Sequence, residues 1–320
     1  MPELETFQAQ RPRLFSIAYR MLGSASEAED VLQDAWVRLN NAGTTDVRSP
    51  QAFAATIVTR LCLDRLKSAR VRREEYVGPW LPEPVLTAGG EGPDVLAERS
   101  ESVTLAFLLL LETLSAEERA VFLLKEVFDY EHAEIAQMLG TTAANSRQLF
   151  HRARTKVRMT ADGDVGALNR NRTARPARVI KDGPEARDAR RSIAARFARA
   201  FQSSDASELA ELLAADVRFV ADGGGKAAAA RRPFAGREDV VSLLVGFVRS
   251  ARASGLASRA TMELREVNSE AAVVLRVDGQ LESVFVLGID GGAITDIRVV
   301  RNPDKLAYLG RQLAVPDFRS

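Results

Sequence analysis

From about residue 4 to residue 73, apolar and polar positions follow the period of amphipathic helices joined by short loops. In SASEAEDVLQDAWVRLNN, Ser24 or Ser26 is placed to cap a helix whose first turn is acidic. Val31, Ala35 and Leu39 then fall four apart on one row, which predicts a core face. NAGTTDVRSPQ, with Gly43 and Pro50, reads as a loop. FAATIVTRLCLDRLKSARVRR reads as a long helix, apolar early and basic late.

The pattern then breaks. EEYVGPWLPEPVLTAGGEGPD carries four prolines and four glycines between Gly78 and Pro93, the composition of a linker. Trp80 and Leu81 are out of place in a purely flexible tether. They predict an anchor on a folded surface, with Pro82 and Pro84 keeping the segment extended. Helical periodicity resumes over about 99–158 and ends in the basic stretch GDVGALNRNRTARPARVIKDGPE. The last third opens with one or two helices around Asp188–Ala215. It continues with the strand-like runs ATMELREV, AAVVLRVDG, LESVFVLGID and AITDIRVVR, parted by turn signals such as Asp278-Gly279 and Asp290-Gly291-Gly292. That is an α+β domain with an expected antiparallel sheet. The chain thus divides into helical units at 1–74 and 99–160, a linker at 75–98, a bridge at 161–184 and an α+β domain at 185–320.

Within the second helical unit, YEHAEIAQMLG followed by TTAANSRQLFHRARTKV has the build of a helix-turn-helix, with Gly140 at the turn. Tyr130, Ile135, Ala136 and Leu139 are the expected buried side of its first helix. On a wheel of ~100° per residue, Ser146, Phe150, Ala153 and Val157 of the second helix face the core. Asn145, Gln148, Arg152 and Thr155 face away, with Arg147 and His151 on one flank and Lys156 on the other. Amide and guanidinium groups in such an outward set are those that read base edges in a major groove, and flanking cations hold phosphates. Helical packing without DNA produces the same two-helix pattern, so this segment alone leaves both readings open.

Charge sharpens the picture. The whole chain carries a net charge of +1, yet Arg60–Arg73 holds six basic residues and one acid, and Asn145–Arg158 five and none. Such segregation suits a protein that meets a polyanion on one face and another partner elsewhere. A single cysteine, Cys62, excludes an internal disulfide framework and fits a reducing compartment. The first residues lack the build of a secretory signal and no apolar run is long enough to span a membrane, so a cytoplasmic protein is expected. No metal site is expected, because His151 has no second histidine or cysteine near it.

Taken together and in this order, RLFSIAYRMLGSASEAEDVLQDAWVRL and LETLSAEERAVFLLKEVFDYEHAEIAQMLG...HRARTKV resemble regions two and four of the extracytoplasmic-function sigma factors of bacterial RNA polymerase. The resemblance implies core RNA polymerase and promoter DNA as partners. The clamp helices of the largest subunit would meet Asp30, Gln33, Asp34 and Arg38, the flap region would also be contacted, and the free protein would be a monomer. It implies −35 contacts by Asn145, Arg147, Gln148, His151, Arg152 and Lys156. It implies a −10 reading loop over Asn41–Arg48, with Arg60, Arg65, Lys67, Arg70 and Arg72 along the strand backbone. Leu61 stands where the family often has asparagine, Gln148 where it often has serine and Leu149 where it often has arginine. The −10 preference is therefore open, and the −35 preference should differ from the family's usual one.

The last third resembles the SnoaL-like domains of the ketosteroid-isomerase-like superfamily, a cone of curved sheet and helices. WLPEP, DGGGK at Asp222–Lys226 and NPDKL at Asn302–Leu306 are similar to stretches in sigma factors that carry this extension, where it tunes activity within the chain. The expected regulatory interface is therefore Trp80, Leu81 and Pro82 with Asp222, Gly223, Gly224, Gly225 and Lys226 and with Asn302, Pro303, Asp304, Lys305 and Leu306, lying against region two. DGGGK lacks the spacing of a phosphate loop, and a close backbone approach is the expected reason for its glycines. Asp216, Asp222 and Asp290 are the carboxylates available as a base, with no histidine and only Tyr308 as partners, so neither catalysis nor a cofactor is expected. The cone leaves room for an unknown small ligand. A ligand-responsive helix-turn-helix regulator is the competing reading. It would have no use for EDVLQDAWVRL or for the Arg60–Arg73 helix.

Overall fold

The computed structural model describes residues 2–42, 50–74, 76–87, 103–161 and 184–314. Arg48, the rest of the linker and nearly all of the basic bridge lie outside them. By contacts the chain separates into two compact units. One takes 1–75, 91–103 and 107–166; the other takes 76–90, 104–106 and 167–320.

The first unit is all helical. Helices α1 (Pro2–Leu22), α2 (Ala25–Ala42) and α3 (Pro50–Glu74) pack together. Val31, Ala35 and Leu39 are buried as their spacing predicts, alongside Phe15, Ile17, Val58 and Cys62. Ser24 rather than Ser26 caps α2, its hydroxyl accepting from the Glu27 N–H at 3.1 Å. Helix α4 (Leu105–Leu111), of which 107–111 belong to this unit, is followed by α5 (Ala116–Phe122), which opens on a Ser115/Glu118 capping box. One π-helical turn, Leu123–Val127, continues it. Helices α6 (His132–Leu139) and α7 (Ala143–Ala161) form the helix-turn-helix. Gly140 adopts the left-handed conformation between them (φ 65°), and Thr142 caps α7 by accepting from the Asn145 N–H at 3.1 Å. The buried side of α6 is Ile135, Ala136 and Met138. Tyr130 precedes the helix and is half-buried, as is Leu139.

The second unit is α+β. Helices α8 (Pro184–Ser203) and α9 (Ala206–Leu212, capped by Asp205) precede β1 (Leu213–Asp222). The rest runs β2 (Phe234–Ala235), α10 (Arg237–Ala253), β3 (Ala260–Val267), β4 (Glu270–Val277), β5 (Gln280–Asp290), β6 (Ala293–Val300) and α11 (Pro303–Ala314). The six strands form one sheet in the order β2-β1-β6-β5-β4-β3. The sheet is mixed rather than antiparallel, because β1 runs parallel to β6. Strand β1 is hard to read from sequence: helical residues run straight into it, and its pairing slips between Leu213 and Arg218. The residues 213–215, expected in a helix, therefore open a strand. The core joins Phe197, Phe201 and Leu209 to Val240 and Leu244 and to Phe219, Phe285 and Ile297 of the sheet.

Candidate nucleic-acid and polymerase interfaces

Helix α7 sorts as the wheel predicts. Ser146 and Ala153 are buried while Phe150 and Val157 are half-buried. Phe150 stacks near Phe122 at 6.2 Å and meets the edge of His132 at 5.6 Å. The Ser146 hydroxyl and His132 Nδ1 lie 2.9 Å apart. Burial and the cations Lys125 and Arg147 hold the His132 imidazole below its ordinary pKa, against an opposing pull from Glu131. The opposite face carries Asn145, Gln148, Arg152 and Thr155, with Arg147 and His151 on its flank, all exposed. Asn145 Nδ2 donates to Thr141 Oγ1 at 2.8 Å, which orients its amide.

Lys156 is committed elsewhere. Its ammonium lies 2.6 and 2.8 Å from the two Glu118 oxygens. Burial works against the Glu118 charge, but Lys156 and the Ser115 N–H outweigh it and hold the carboxyl below its ordinary value. Lys156 thus ties α7 to the capping box of α5, a destination that helical spacing does not show.

On α2, Asp30, Gln33, Asp34 and Arg38 stand exposed beside the buried row. Val37, 53% exposed, adds an apolar contact in their midst, which sequence reasoning missed. Arg65 of α3 reaches across to Asp34 at 2.8 Å and Asp30 at 3.5 Å and donates to the Glu27 carbonyl. One residue of the expected −10 set is therefore bound to the expected polymerase-binding face. Arg60 is likewise engaged: Nε donates to the Met138 carbonyl at 2.8 Å and Nη2 to the Gln137 carbonyl at 3.3 Å, the last carbonyls of α6. Lys67 and Asn41 are exposed, and Leu61 is buried in the bundle. The side chains of Arg70 and Arg72 lie outside the described set.

Arg60 belongs to a seam between the two helical regions. Arg119, only 3% exposed, donates to the Met21 carbonyl at 2.7 Å and pairs with Glu112 at 2.9 Å; burial lowers its pKa to about 10. Arg13 donates to the Phe128 carbonyl and sits over Tyr130 at 5.3 Å, and Arg20 over Phe128 at 5.7 Å.

In the second unit, the three sequence stretches converge on Asp222, whose carboxylate is fully buried. Oδ1 accepts from the Tyr76 hydroxyl at 2.5 Å and the Gly224 N–H at 3.0 Å. Oδ2 accepts from the Leu81 N–H at 2.8 Å and Lys305 Nζ at 2.6 Å. Lys305 also donates to the Leu81 carbonyl, 2.5 Å away, and lies over the rings of Trp80 (4.3 Å) and Tyr76 (4.7 Å). Asn302 donates to the Tyr76 oxygen at 2.9 Å and caps α11 through the Asp304 N–H, so NPDKL is a helix start with proline at its first position. Burial first, then the hydrogen bond to Asp222, raises the Tyr76 pKa, so the phenol stays protonated and keeps donating.

The glycines have specific reasons. A Cβ on Gly224 would lie 2.2 Å from Asn302 Nδ2 and 2.9 Å from the Tyr76 oxygen; one on Gly223 would lie 2.2 Å from the Ala227 carbonyl. Only Gly223 fits the expected approach of backbone; at Gly224 the crowding comes from two side chains. Lys226 and Asp304 form an exposed ion pair, while Leu81, Pro82 and Leu306 are buried. Tyr76 was not among the sequence candidates; an aromatic residue four before Trp80 in a Pro/Gly segment was its only signal. Beyond the clasp the linker runs along the unit. The Val85 N–H donates to Asn268 Oδ1 at 3.1 Å, the Asn268 N–H to the Val85 carbonyl at 2.9 Å, and the Leu86 N–H to Gln312 Oε1 at 2.9 Å. Four donors thus engage the Asp222 carboxylate, while Asp216 and Asp290 are exposed.

A helix-turn-helix with amide and guanidinium side chains outward, joined to a helical bundle with a polar and acidic face, has the build of a DNA-binding protein with a second, protein-facing surface. Comparison carries this further. Residues 6–72 match Sigma-70 region 2 and residues 104–157 match Sigma-70, region 4. ECF RNA polymerase sigma factor SigJ of Mycobacterium tuberculosis (strain ATCC 25618 / H37Rv) is 34% identical over 310 residues, 95% of this chain and 93% of that protein. Probable ECF RNA polymerase sigma factor SigI of the same strain is 29% identical over 98% of this chain and 97% of its own. The crystal structure of Mycobacterium tuberculosis SigJ aligns with a TM-score of 0.72 and 30% identity, covering 95% of this chain and 98% of that one. The chain belongs to the ECF sigma factors of RNA polymerase, which direct initiation to specific promoters. Among the described residues no helix is long and apolar enough to cross a membrane.

Proposed function

We propose that this sigma factor holds core RNA polymerase through the α2 face of Asp30, Gln33, Asp34, Val37 and Arg38, and reads the −35 element with Asn145, Arg147, Gln148, His151 and Arg152. The −10 strand is met by Asn41, Arg48 and the basic residues of α3. The protein acts in the cytoplasm, catalyses no reaction, and is tuned in cis by its C-terminal domain through the linker clasp. The observation that carries the DNA reading is the α7 face: every amide and guanidinium group assigned to bases there is exposed, and the apolar side is packed away.

The seam supports a regulatory step. The −10 and −35 elements are about 25 base pairs apart, roughly 85 Å of duplex. Arg60 and the C-terminal carbonyls of α6 are at hydrogen-bond distance. Regions two and four must therefore part before both can sit on one promoter, and Arg60 and Arg65 must be released before they follow a DNA strand. Run-off transcription with purified core polymerase tests the whole reading. Promoter-specific transcripts are expected, lost on Arg147→Ala/Arg152→Ala. Binding to duplex operators without polymerase, and no transcripts with it, would replace the sigma-factor assignment by that of a free-standing regulator.

A further inference from the structure

A cavity of about 1060 Å³ lies in the second unit, between the sheet and helices α8 and α10. Its size is at the upper end of small-molecule sites, which run from ~300 to ~1000 Å³. The walls are mainly apolar, including Phe219, Phe234, Phe247, Met262, Leu275 and Phe285. Phe247 is 38% exposed and its ring lies 6.0 Å from that of Phe219.

The polar groups are few and asymmetrically placed. Between Leu275 and Arg276 of β4 the pairing with β5 skips Glu282. The resulting bulge turns Glu282 to the cavity wall next to Ser283, so that adjacent residues of one strand both line it. Glu282 is paired with Arg301, which also donates to the Ala228 carbonyl. That pair is neutral. Ser283 is 2% exposed. Arg231 and Arg232, also on the cavity lining, are exposed and form no ion pair among the described residues. Two exposed cations with no ion-pair partner among the described residues thus stand beside an apolar chamber.

We propose that the cavity binds a long-chain carboxylate, its hydrocarbon tail along the aromatic walls and its anionic head at Arg231 and Arg232. A neutral sterol-like body would make no use of those two charges, and a compact sugar or nucleotide would leave the aromatic walls wet. This gives a chemical class to the small-molecule reading of the cone and is independent of promoter recognition.

The test is fluorescence titration of the purified full-length chain with a dansyl-labelled undecanoic acid, followed by displacement with saturated fatty acids and their methyl esters. Saturable binding is expected, with displacement tightening about fourfold per added methylene and the acid at least tenfold better than its ester. Arg231→Glu/Arg232→Glu, on an exposed segment, should weaken the acid at least tenfold and leave the ester unchanged. Met262→Trp should abolish both. Should it unfold the domain, the charge-reversal pair still decides. No saturable binding, equal displacement by acid and ester, or an unchanged acid affinity in the charge-reversed chain would each overturn the proposal. The assay contains no polymerase or promoter, so its failure leaves the sigma-factor reading standing, and a failed run-off assay leaves this one.

Discussion

The seam in the helical unit and the clasp in the C-terminal unit use the same kinds of side chain in opposite ways. At the seam, arginines on one helical region donate to backbone carbonyls of the other, and Arg60 does so from an exposed position. The exposed Arg60 bonds can be exchanged for water at little cost; the buried Arg119 bond to the Met21 carbonyl is the costly contact of the same seam. At the clasp, Lys305 and Asp222 are both buried and every strong acceptor is taken. Removing one partner strands the other away from solvent. The first arrangement suits surfaces that must come apart; the second suits a linker that is to stay in place.

The most severe way to break this contrast is Asp222→Ala. It leaves the Lys305 ammonium buried without its counterion and should destabilise the C-terminal unit by about 3–5 kcal/mol, measured by denaturant unfolding. Hydrogen exchange at Leu81 should rise with it. Replacing the whole DGGGK loop by alanines therefore disturbs packing as well as output, since Gly223 and Gly224 have no room for a Cβ. Next in size, Arg152→Ala should lower −35 binding by about 1–3 kcal/mol, seen as roughly tenfold less run-off product at limiting protein. Arg60→Ala should cost the closed helical arrangement only about 1 kcal/mol. Labels on α2 and α7 would register it as a several-fold larger separated population by single-molecule energy transfer, with the clasp unaffected. An Arg60→Ala protein that unfolds outright would erase the distinction between seam and clasp.

The smallest effect concerns His132. Its folded pKa lies below the ordinary 6.5, so the folded state prefers the neutral ring. The stability this brings is present above about pH 6.5 and is lost as pH falls toward the folded pKa. The helical unit should melt at a slightly lower temperature at pH 5.5 than at pH 7.5, and His132→Gln should remove part of that difference.

The amino-acid sequence by itself determined what local physics controls. Period placed the buried rows of α2 and α7 and therefore the exposed sets opposite them; capping residues and Gly140 placed the helix ends; Asp-Gly turns separated the strands. These depend on neighbours within a turn or two. It also marked Trp80 and Leu81 as an anchor, because large apolar side chains in a Pro/Gly segment need a surface to cover them. Tertiary structure alone decided where the long cations end: Arg60 on the α6 carbonyls, Arg65 on Asp34, Lys156 on Glu118 and Lys305 between Asp222 and Trp80. It alone brought β1 parallel to β6, chose Tyr76 as the second donor to Asp222, and turned Glu282 into the cavity. A charged side chain several bonds long finds its partner across sequence separations of 31 to 83 residues. No periodicity encodes such a distance; packing sets it.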